Sequence, residues 1–302
     1  MEFHEITARD AEWARPRLEG AGFRSCEFAF ANVYMWSHVY DTEIADHRGF
    51  VVARNVGHTH HHFLYPVGGT DLAGVLADCV QEAQDAGKEP MFYSIPESEL
   101  EKVEAALPGR LRFWEERDDQ DYLYAAADLR DLPGKKFQKK RNHISRFCKD
   151  HPEYRFEPIT PDNLPEVRAF NNQWCKVYGC DADEGLAREH RAIEMVFDHY
   201  FELGLVGGLI RTEAGLVAFC YGSKISNEVL GTHVEKAWHD VNGAYPIINR
   251  EYARAFGGGY QYINREEDLG EEGLRKAKLS YSPAILEKKY YAVLRDEAQA
   301  AN

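Results

Sequence analysis

LVGGLIRTEAGLVAFCYGSKISNEVLGTHVEKAWHDVNGAYPIINREYARAFGGGYQYIN, residues 205–264, decides the fold. Leu205 to Thr212, Leu216 to Lys224 and Glu228 to Val234 read as three consecutive strands, the first two joined by a short turn around Gly215. Tyr245 to Phe256 then carries apolar residues at helical spacing, and Tyr260 to Asn264 is a further strand. Upstream lie a strand from Tyr154 to Ile159 and a helix from Pro161 to Val177. That helix is entered through Thr160 as N-cap, with proline at the first helical position. A second helix runs from Arg188 to Glu202. Downstream, Gly273 to Leu279 reads as a short helix and Ile285 to Leu294 as a final strand.

This order of strand, two helices, three strands, helix, strand, helix and strand resembles that of the GNAT acyltransferases, and the first half repeats most of it. Helices are expected from Thr7 to about Gly20 and from Phe28 to Tyr40. Strands from Gly49 to Val56 and His61 to Val67 form a hairpin turned at Gly57. A helix from Leu72 to Ala86, a strand from Met91 to Ile95, a helix from Glu97 to Leu107 and strands at Leu111–Trp114 and Tyr122–Ala127 complete the half. Pro133 and Gly134 punctuate the chain, so the boundary is placed near 130. The expected fold is α/β (α+β): two tandem GNAT-like units, residues 1–130 and 131–302, each a mixed, largely antiparallel sheet flanked by helices. The 302 residues, against a usual domain size of ~150, agree with two units.

With 36 Lys and Arg against 50 Asp and Glu the net charge is −14, which argues against chain-wide attraction to nucleic acid or anionic lipid. Any such binding must use a local patch. The 6 cysteines form no CxxC pair, and reduced thiols of a cytoplasmic protein are expected. Neither a signal sequence nor an apolar run long enough to span a membrane is legible.

The local patch is GKKFQKKRNHISRFCK, residues 134–149, with seven Lys or Arg and no acidic residue. At helical spacing Lys135, Lys139, Asn142, Arg146 and Lys149 share one face, while Phe137, Ile144 and Cys148 share an apolar one. Such a ridge suits the phosphates of RNA, a lipid head group or a nucleotide; a solvated face offsetting the acidic remainder is the plain alternative. A second concentration is Asn264, Arg265, Glu266, Glu267 and Asp268 at a strand end, followed by Arg275, Lys276 and Lys278. These residues suit substrate binding, or equally an ion-pair network that fixes the loop. In THVEKAW, His233 and Glu235 fall on one side of a strand and could supply a general base; a satisfied core histidine and a structural Glu/Lys pair are the alternative. Gly243 is the lone glycine in the loop after that strand. A helix-terminus anion site can survive there, but the glycine-rich coenzyme A signature does not. His58, His60, His61 and His62 have no acidic or cysteine partner nearby in sequence, and no metal site is expected. Cys175 and Cys180 are read as packing residues.

The motifs KKFQKKRNHISRF, ELGLVGGLI, HVEKAW, YINREEDLGEEGLRKAKLSYSP and EKKYY together resemble the phosphatidylglycerol lysyltransferase C-terminal domain family, in a branch of soluble, stand-alone bacterial proteins. The resemblance implies kinship with enzymes that move an aminoacyl group from aminoacyl-tRNA to a lipid hydroxyl or a peptide amine. An FNLG-type strand end of those synthases matches Ile263 to Arg265 loosely. Their LRxFKxKFxP helix matches Leu274, Arg275, Lys278, Tyr281 and Pro283, with Ala277 and Ser280 departing from it.

The expected function is therefore acyl transfer, aminoacyl in kind, to an amine or hydroxyl acceptor. Lys135, Lys139, Lys140, Arg141, Arg146 and Gly243 are expected to meet donor phosphates. Lys278 and Arg275 are expected to steady the reacting carbonyl, with Glu235 and His233 as acid–base groups. Asn264, Arg265, Glu266, Glu267, Asp268 and Tyr281 are expected to hold substrate. No tightly bound cofactor is expected; aminoacyl-tRNA is the preferred donor and acyl-CoA the less favoured one. A coenzyme A dependent N-acetyltransferase, and a non-catalytic module binding RNA or an anionic head group through the basic helix, are the competing readings.

Overall fold

Two strands leave the half of the chain that encodes them and complete the sheet of the other half. The computed structural model describes residues 1–180 and 182–295. Its strands are β1 (His4–Glu5), β2 (Thr42–His47), β3 (Phe50–Val56), β4 (His60–Leu64), β5 (Glu89–Pro96), β6 (Leu111–Glu115), β7 (Asp121–Ala125), β8 (Arg155–Pro158), β9 (Val206–Thr212), β10 (Gly215–Gly222), β11 (Val229–Gly231), β12 (Val234–Ala237), β13 (Tyr262–Asn264), β14 (Ile285–Glu287) and β15 (Lys289–Leu294). The helices are α1 (Ala11–Gly20), α2 (Phe30–Tyr40), α3 (Leu72–Asp85), α4 (Leu100–Ala106), α5 (Ala126–Asp131), α6 (Gln138–Asp150), α7 (Leu164–Tyr178), α8 (Glu184–Asp198), α9 (Ala244–Phe256) and α10 (Glu272–Leu279).

The first sheet has the order β1-β2-β3-β4-β5-β15-β6, so the last strand of the chain sits between β5 and β6. The second half forms two four-stranded sheets, β12-β10-β9-β8 and β11-β13-β7-β14, and β7 comes from the first half. Pairing is antiparallel except at β4·β5 and β11·β13. The expected final strand, Ile285 to Leu294, is thus two strands in two sheets, and a cut near 130 is crossed in both directions by sheet pairing. Periodicity sees a strand but not its partner, because partners are set by contacts across the whole chain.

Three smaller expectations also change. Helix α7 starts at Leu164 with Asn163 at its N-cap position, and Asn163 Oδ1 accepts from the Thr160 N–H at 2.8 Å. The expected strand from Glu228 to Val234 breaks into β11 and β12. Cys175 and Cys180 form a disulfide at the end of α7 rather than staying reduced.

The break between β11 and β12 parts two strands of different sheets. β11 runs parallel to β13 from Val229↔Tyr262 to Gly231↔Asn264, and the last link is the Thr232 N–H donating to the Asn264 carbonyl at 2.8 Å. Beyond it β12 turns away to pair with β10, and the two strands diverge. Gly222 is required where β10 passes this point: a Cβ there would lie 1.9 Å from the Gly231 carbonyl oxygen.

The basic helix packs as its spacing predicts. Phe137, Ile144 and Phe147 are buried in one cluster with Ile247 and Ile248 of α9, while Lys135 and Lys139 are exposed. Phe147 takes the buried place expected of Cys148, which is only partly covered.

Candidate functional site

The two halves treat their corresponding helix starts in opposite ways. Helix α3, which follows the parallel strand of the first sheet, is capped by Asp71, whose carboxylate accepts from the Gly74 N–H at 2.9 Å and pairs with Arg48. Its anion position is filled from within. Helix α9, which follows β12, is capped by Gly243 with no side-chain hydrogen bond; the Ala244 N–H is taken by the Val241 carbonyl at 3.1 Å and Pro246 has none, so the Tyr245 N–H and the positive end of the helix dipole are what this terminus offers. A cleft of about 300 Å³ sits at this end, lined by Lys140, His143, Trp238, His239, Asn242 and Tyr245. Tyr178 stacks on His239 with ring centroids 3.9 Å apart, which gives the wall an aromatic face. A helix terminus, a lysine and stacked rings together suit a phosphorylated, base-bearing donor.

Gly243 permits this geometry twice over. Its φ of +87° belongs to the left-handed region, and a Cβ would meet the His143 carbonyl oxygen at 2.6 Å. Gly243→Ala is expected to cost about 1–3 kcal/mol by strain and by pushing α6 outward. A urea unfolding midpoint equal to the wild type would show that α6 is free to shift.

Of the expected phosphate ligands, Lys140 lines the cleft, and Lys135 and Lys139 are exposed but do not line it. Arg141 is spent on the Gly134 and Leu132 carbonyls, and Arg146 pairs with Asp150 at 2.6 Å. In this structure each has an acceptor of its own within reach on or just before the helix. Burial, reinforced by the Arg265 charge and opposed by Glu235, pulls the Lys140 ammonium down to about 8. Lys140 Nζ lies 3.7 Å from the ring centre of Tyr281, and the Arg265 guanidinium is 4.8 Å from that same ring.

Arg265 bridges the diverging strands. It bonds both oxygens of Glu235 at 3.1 Å, and Asn249 on α9 donates to the same carboxylate at 3.2 Å. Burial works against the guanidinium charge, but Glu235 outweighs it and holds the Arg265 pKa above its ordinary value. Glu235 and His233 therefore do not form one pair. His233 turns to the next residue of the loop, its Nδ1 lying 2.8 Å from Glu266 Oε1 and its Nε2 2.7 Å from Ser223 Oγ.

Residues 264–268 divide the site by the side each faces. Asn264 is fully buried and donates to Asp121 at 2.7 Å. Glu267 faces a buried group in which Lys289 Nζ lies 2.7 Å from Glu27, 3.0 Å from Asp121 and 3.6 Å from Glu267. Asp121 opens β7 and Lys289 opens β15, so the ion pair marks the place where the two exchanged strands cross. Burial opposes the Asp121 charge, yet Lys289 and Asn264 keep its pKa below the ordinary carboxylate value. Cys26, Glu27 and Asp121 bring potential metal-ligand atoms within 4.8 Å of one another, and the Lys289 ammonium already supplies a cation to the two carboxylates. Sequence reasoning missed this group: Cys26 and Glu27, Asp121, and Lys289 come from three separate segments, and only Lys289 lies in a quoted motif, EKKYY.

Arg275 and Lys278 do not aim at a shared substrate carbonyl. Arg275 bonds Asp268 at 2.7 and 2.8 Å and Asp118 at 2.6 Å. The Arg275 bonds in turn hold the Asp268 carboxyl well below the usual range. Lys278 is buried and donates to the carbonyls of Arg265, Glu266 and Glu267 at 2.5, 3.1 and 2.6 Å. In this structure both form a clasp: α10 lies under the loop, the loop's own carbonyls take the Lys278 ammonium, and Asp268 and Asp118 take Arg275. Tyr281 is likewise buried, its ring edge against Tyr124.

No helix among the described residues is long and apolar enough to cross a membrane. Comparison with known proteins agrees with the fold throughout. A conserved protein of unknown function from Bacteroides thetaiotaomicron has a crystal structure that superposes with a TM-score of 0.93 at 40% identity, covering 98% of this chain and 100% of that one. The C-terminal domain of a putative lysylphosphatidylglycerol synthetase from Agrobacterium fabrum superposes at 0.71 with 17% identity, covering 97% and 94%. An uncharacterized protein of Mycoplasmoides gallisepticum is 24% identical over 177 residues, 56% of this chain, and the chain spans about half of that relative's length, 54%. The fold is the expected one of tandem GNAT-like units with mostly antiparallel sheets, here exchanging strands. The family described as phosphatidylglycerol lysyltransferase, C-terminal, matches residues 20–293, and the chain belongs to that family.

Proposed function

We propose that the protein is an aminoacyltransferase that takes its aminoacyl group from aminoacyl-tRNA and passes it to an amine or hydroxyl acceptor. The observation that carries this reading is the uncapped start of α9, open to a cleft that holds Lys140 and a stacked aromatic wall. The terminal nucleotide of a tRNA offers the phosphate and base that such a cleft suits. The exposed Lys135 and Lys139 continue the positive surface along which a phosphate backbone would lie. Arg265 and Lys140 flank Tyr281 at the inner end and would face the ester carbonyl, where developing negative charge needs a fixed cation. The acceptor would enter from the other side of residues 264–268, where Glu266 and Glu267 remain partly open.

The test offers bulk tRNA charged with labelled amino acids together with two acceptors, a vesicle of hydroxyl-headgroup anionic phospholipid and a peptide carrying a free amine. Label should appear in one acceptor only when the enzyme is present, and Lys140→Ala should lower the rate at least tenfold. Label in neither acceptor, together with micromolar binding of acetyl-CoA, would replace this reading with the coenzyme A one.

A further inference from the structure

Two buried side chains, Ser223 and His233, and the partly open Glu266 form a continuous hydrogen-bonded line from the core outward. Ser223 follows β10, His233 precedes β12, and Glu266 follows β13 in the left-handed conformation, with φ of +58°. Ser223 Oγ is 2.7 Å from His233 Nε2, and His233 Nδ1 is 2.8 Å from Glu266 Oε1. Asn32 on α2 donates to the same Oε1 at 2.9 Å. An ionised carboxylate only accepts, so Nδ1 carries the proton and, in the neutral ring, Nε2 accepts from the serine hydroxyl.

The chemical order of this line is that of a serine nucleophile, a histidine base and an acidic orienter, but its accessibility runs the other way. The His233 side chain is 1% exposed and Ser223 is 5% exposed, whereas the Glu266 side chain is 17% exposed. A substrate cannot reach the serine. The open end is the carboxylate, and its Oε2 makes no hydrogen bond among the described residues while Oε1 makes two. The neighbouring acids are less suited to accepting a proton. Glu235 is committed to Arg265 and Asn249, and Glu267 is raised to about 8, chiefly by burial, so at neutral pH it already holds a proton.

We infer that Glu266 is the general base of the transfer, and that His233 and Ser223 are positioning residues that hold its free oxygen toward the acceptor. This rests on the aminoacyl-transfer reading above. The acceptor nitrogen or oxygen attacks the ester carbonyl carbon of the donor, and a new C–N or C–O bond forms. The proton leaving the acceptor goes to Glu266 Oε2. As the C–O bond to the donor ribose breaks, that proton passes to the departing ribose oxygen, so the carboxylate ends the cycle ionised. Ser223 serves either charge state of the ring: its hydroxyl donates to a neutral Nε2 and accepts from a protonated one, and Nδ1–H stays on Glu266 in both. Lys278 fixes the backbone of the same residue through its carbonyl, so both the main chain and one carboxylate oxygen of Glu266 are held.

The experiment combines the charged-tRNA transfer assay with ¹H–¹⁵N spectroscopy of the histidine rings. Glu266→Gln is expected to lower kcat at least a hundredfold. Ser223→Ala is expected to lower kcat about tenfold with KM unchanged and a modest fall in melting temperature, because it loosens the base without touching either substrate and leaves the buried His233 Nε2 unpaired. The ring spectrum should show His233 as the Nδ1–H tautomer in the wild type and also in Glu266→Gln, where the amide oxygen, held by the Asn32 donor, still accepts from Nδ1–H. An active wild-type enzyme whose kcat is unaffected by Glu266→Gln overturns the general-base assignment and leaves the transferase reading standing. A wild type that transfers no label from any charged tRNA overturns both. A change in KM alone for Ser223→Ala, or an Nε2–H tautomer of His233, overturns the positioning role.

Discussion

Lys278→Met is expected to lower the free energy of unfolding by about 3–5 kcal/mol, the cost of removing one side of a buried charged contact. The ammonium is 7% exposed and meets three successive carbonyls, those of Arg265, Glu266 and Glu267. A methionine of similar length fills the space but donates nothing, so the Arg265 and Glu267 oxygens lose the ammonium while the Glu266 oxygen keeps only the Tyr122 N–H, each unpaired buried group costing ~1–3 kcal/mol before relaxation. The loop has little room to relax, because Glu266 and Leu269 are both non-glycine residues held at positive φ, +58° and +52°. Arginine should not rescue the variant, since its planar fork cannot converge on three carbonyls as a compact ammonium does. Urea denaturation of wild type, Lys278→Met and Lys278→Arg reads this directly. A Lys278→Met midpoint within about 0.5 kcal/mol of wild type, with transfer abolished, would return Lys278 to the reactive role that its motif suggests.

The contrast between Lys278 and Lys140 shows what a sequence can and cannot say. Both are lysines in motif-bearing segments, and both are expected to touch substrate. The spacing of Phe137, Ile144 and the lysines around them is enough to place α6 with one face packed, because a single helix needs only its own period to reveal a buried side. The element order of residues 205–264 likewise gives the fold, since strands and helices of that length have few ways to pack. Lys278 differs because the groups it satisfies are backbone carbonyls, which every residue has and no motif records. Asp121 and Lys289 are further out of reach, being 168 residues apart. Their pairing depends on which strands exchange sheets, and no local pattern in either segment encodes that. Ser223 shows the same limit at smaller scale: it lies ten residues from His233, but only the turn between β10 and β12 brings the hydroxyl to the ring.

The strand crossing also sets how stability should vary with pH. Three carboxylates, Glu27, Asp121 and Glu267, share the single ammonium of Lys289, so one acid has reason to stay protonated. Burial, added to by Asp121 and Glu27 and opposed by Lys289, raises Glu267 from its ordinary 4.5 to about 8. Between these values the folded protein holds a proton that the unfolded chain has released. The contribution of Glu267 is therefore complete below about pH 4.5 and is lost as pH rises through about 8, by up to about 5 kcal/mol at ~1.4 kcal/mol per unit. Asp121 and Asp268 act in the opposite sense. Their folded pKa values lie below the ordinary one, so what they contribute is lost only as the solution becomes acidic. The two trends place maximal stability near pH 5, with a decline toward pH 8 that Glu267→Gln should largely remove, because a glutamine keeps the shape of the protonated acid and has no proton to lose; Glu27, also raised by burial, acts in the same sense. Unfolding midpoints measured at pH 5, 7 and 9 for both proteins decide the matter: a wild-type midpoint that is flat across this range, or a decline that persists in Glu267→Gln, would show that another group carries the proton at the crossing of β7 and β15.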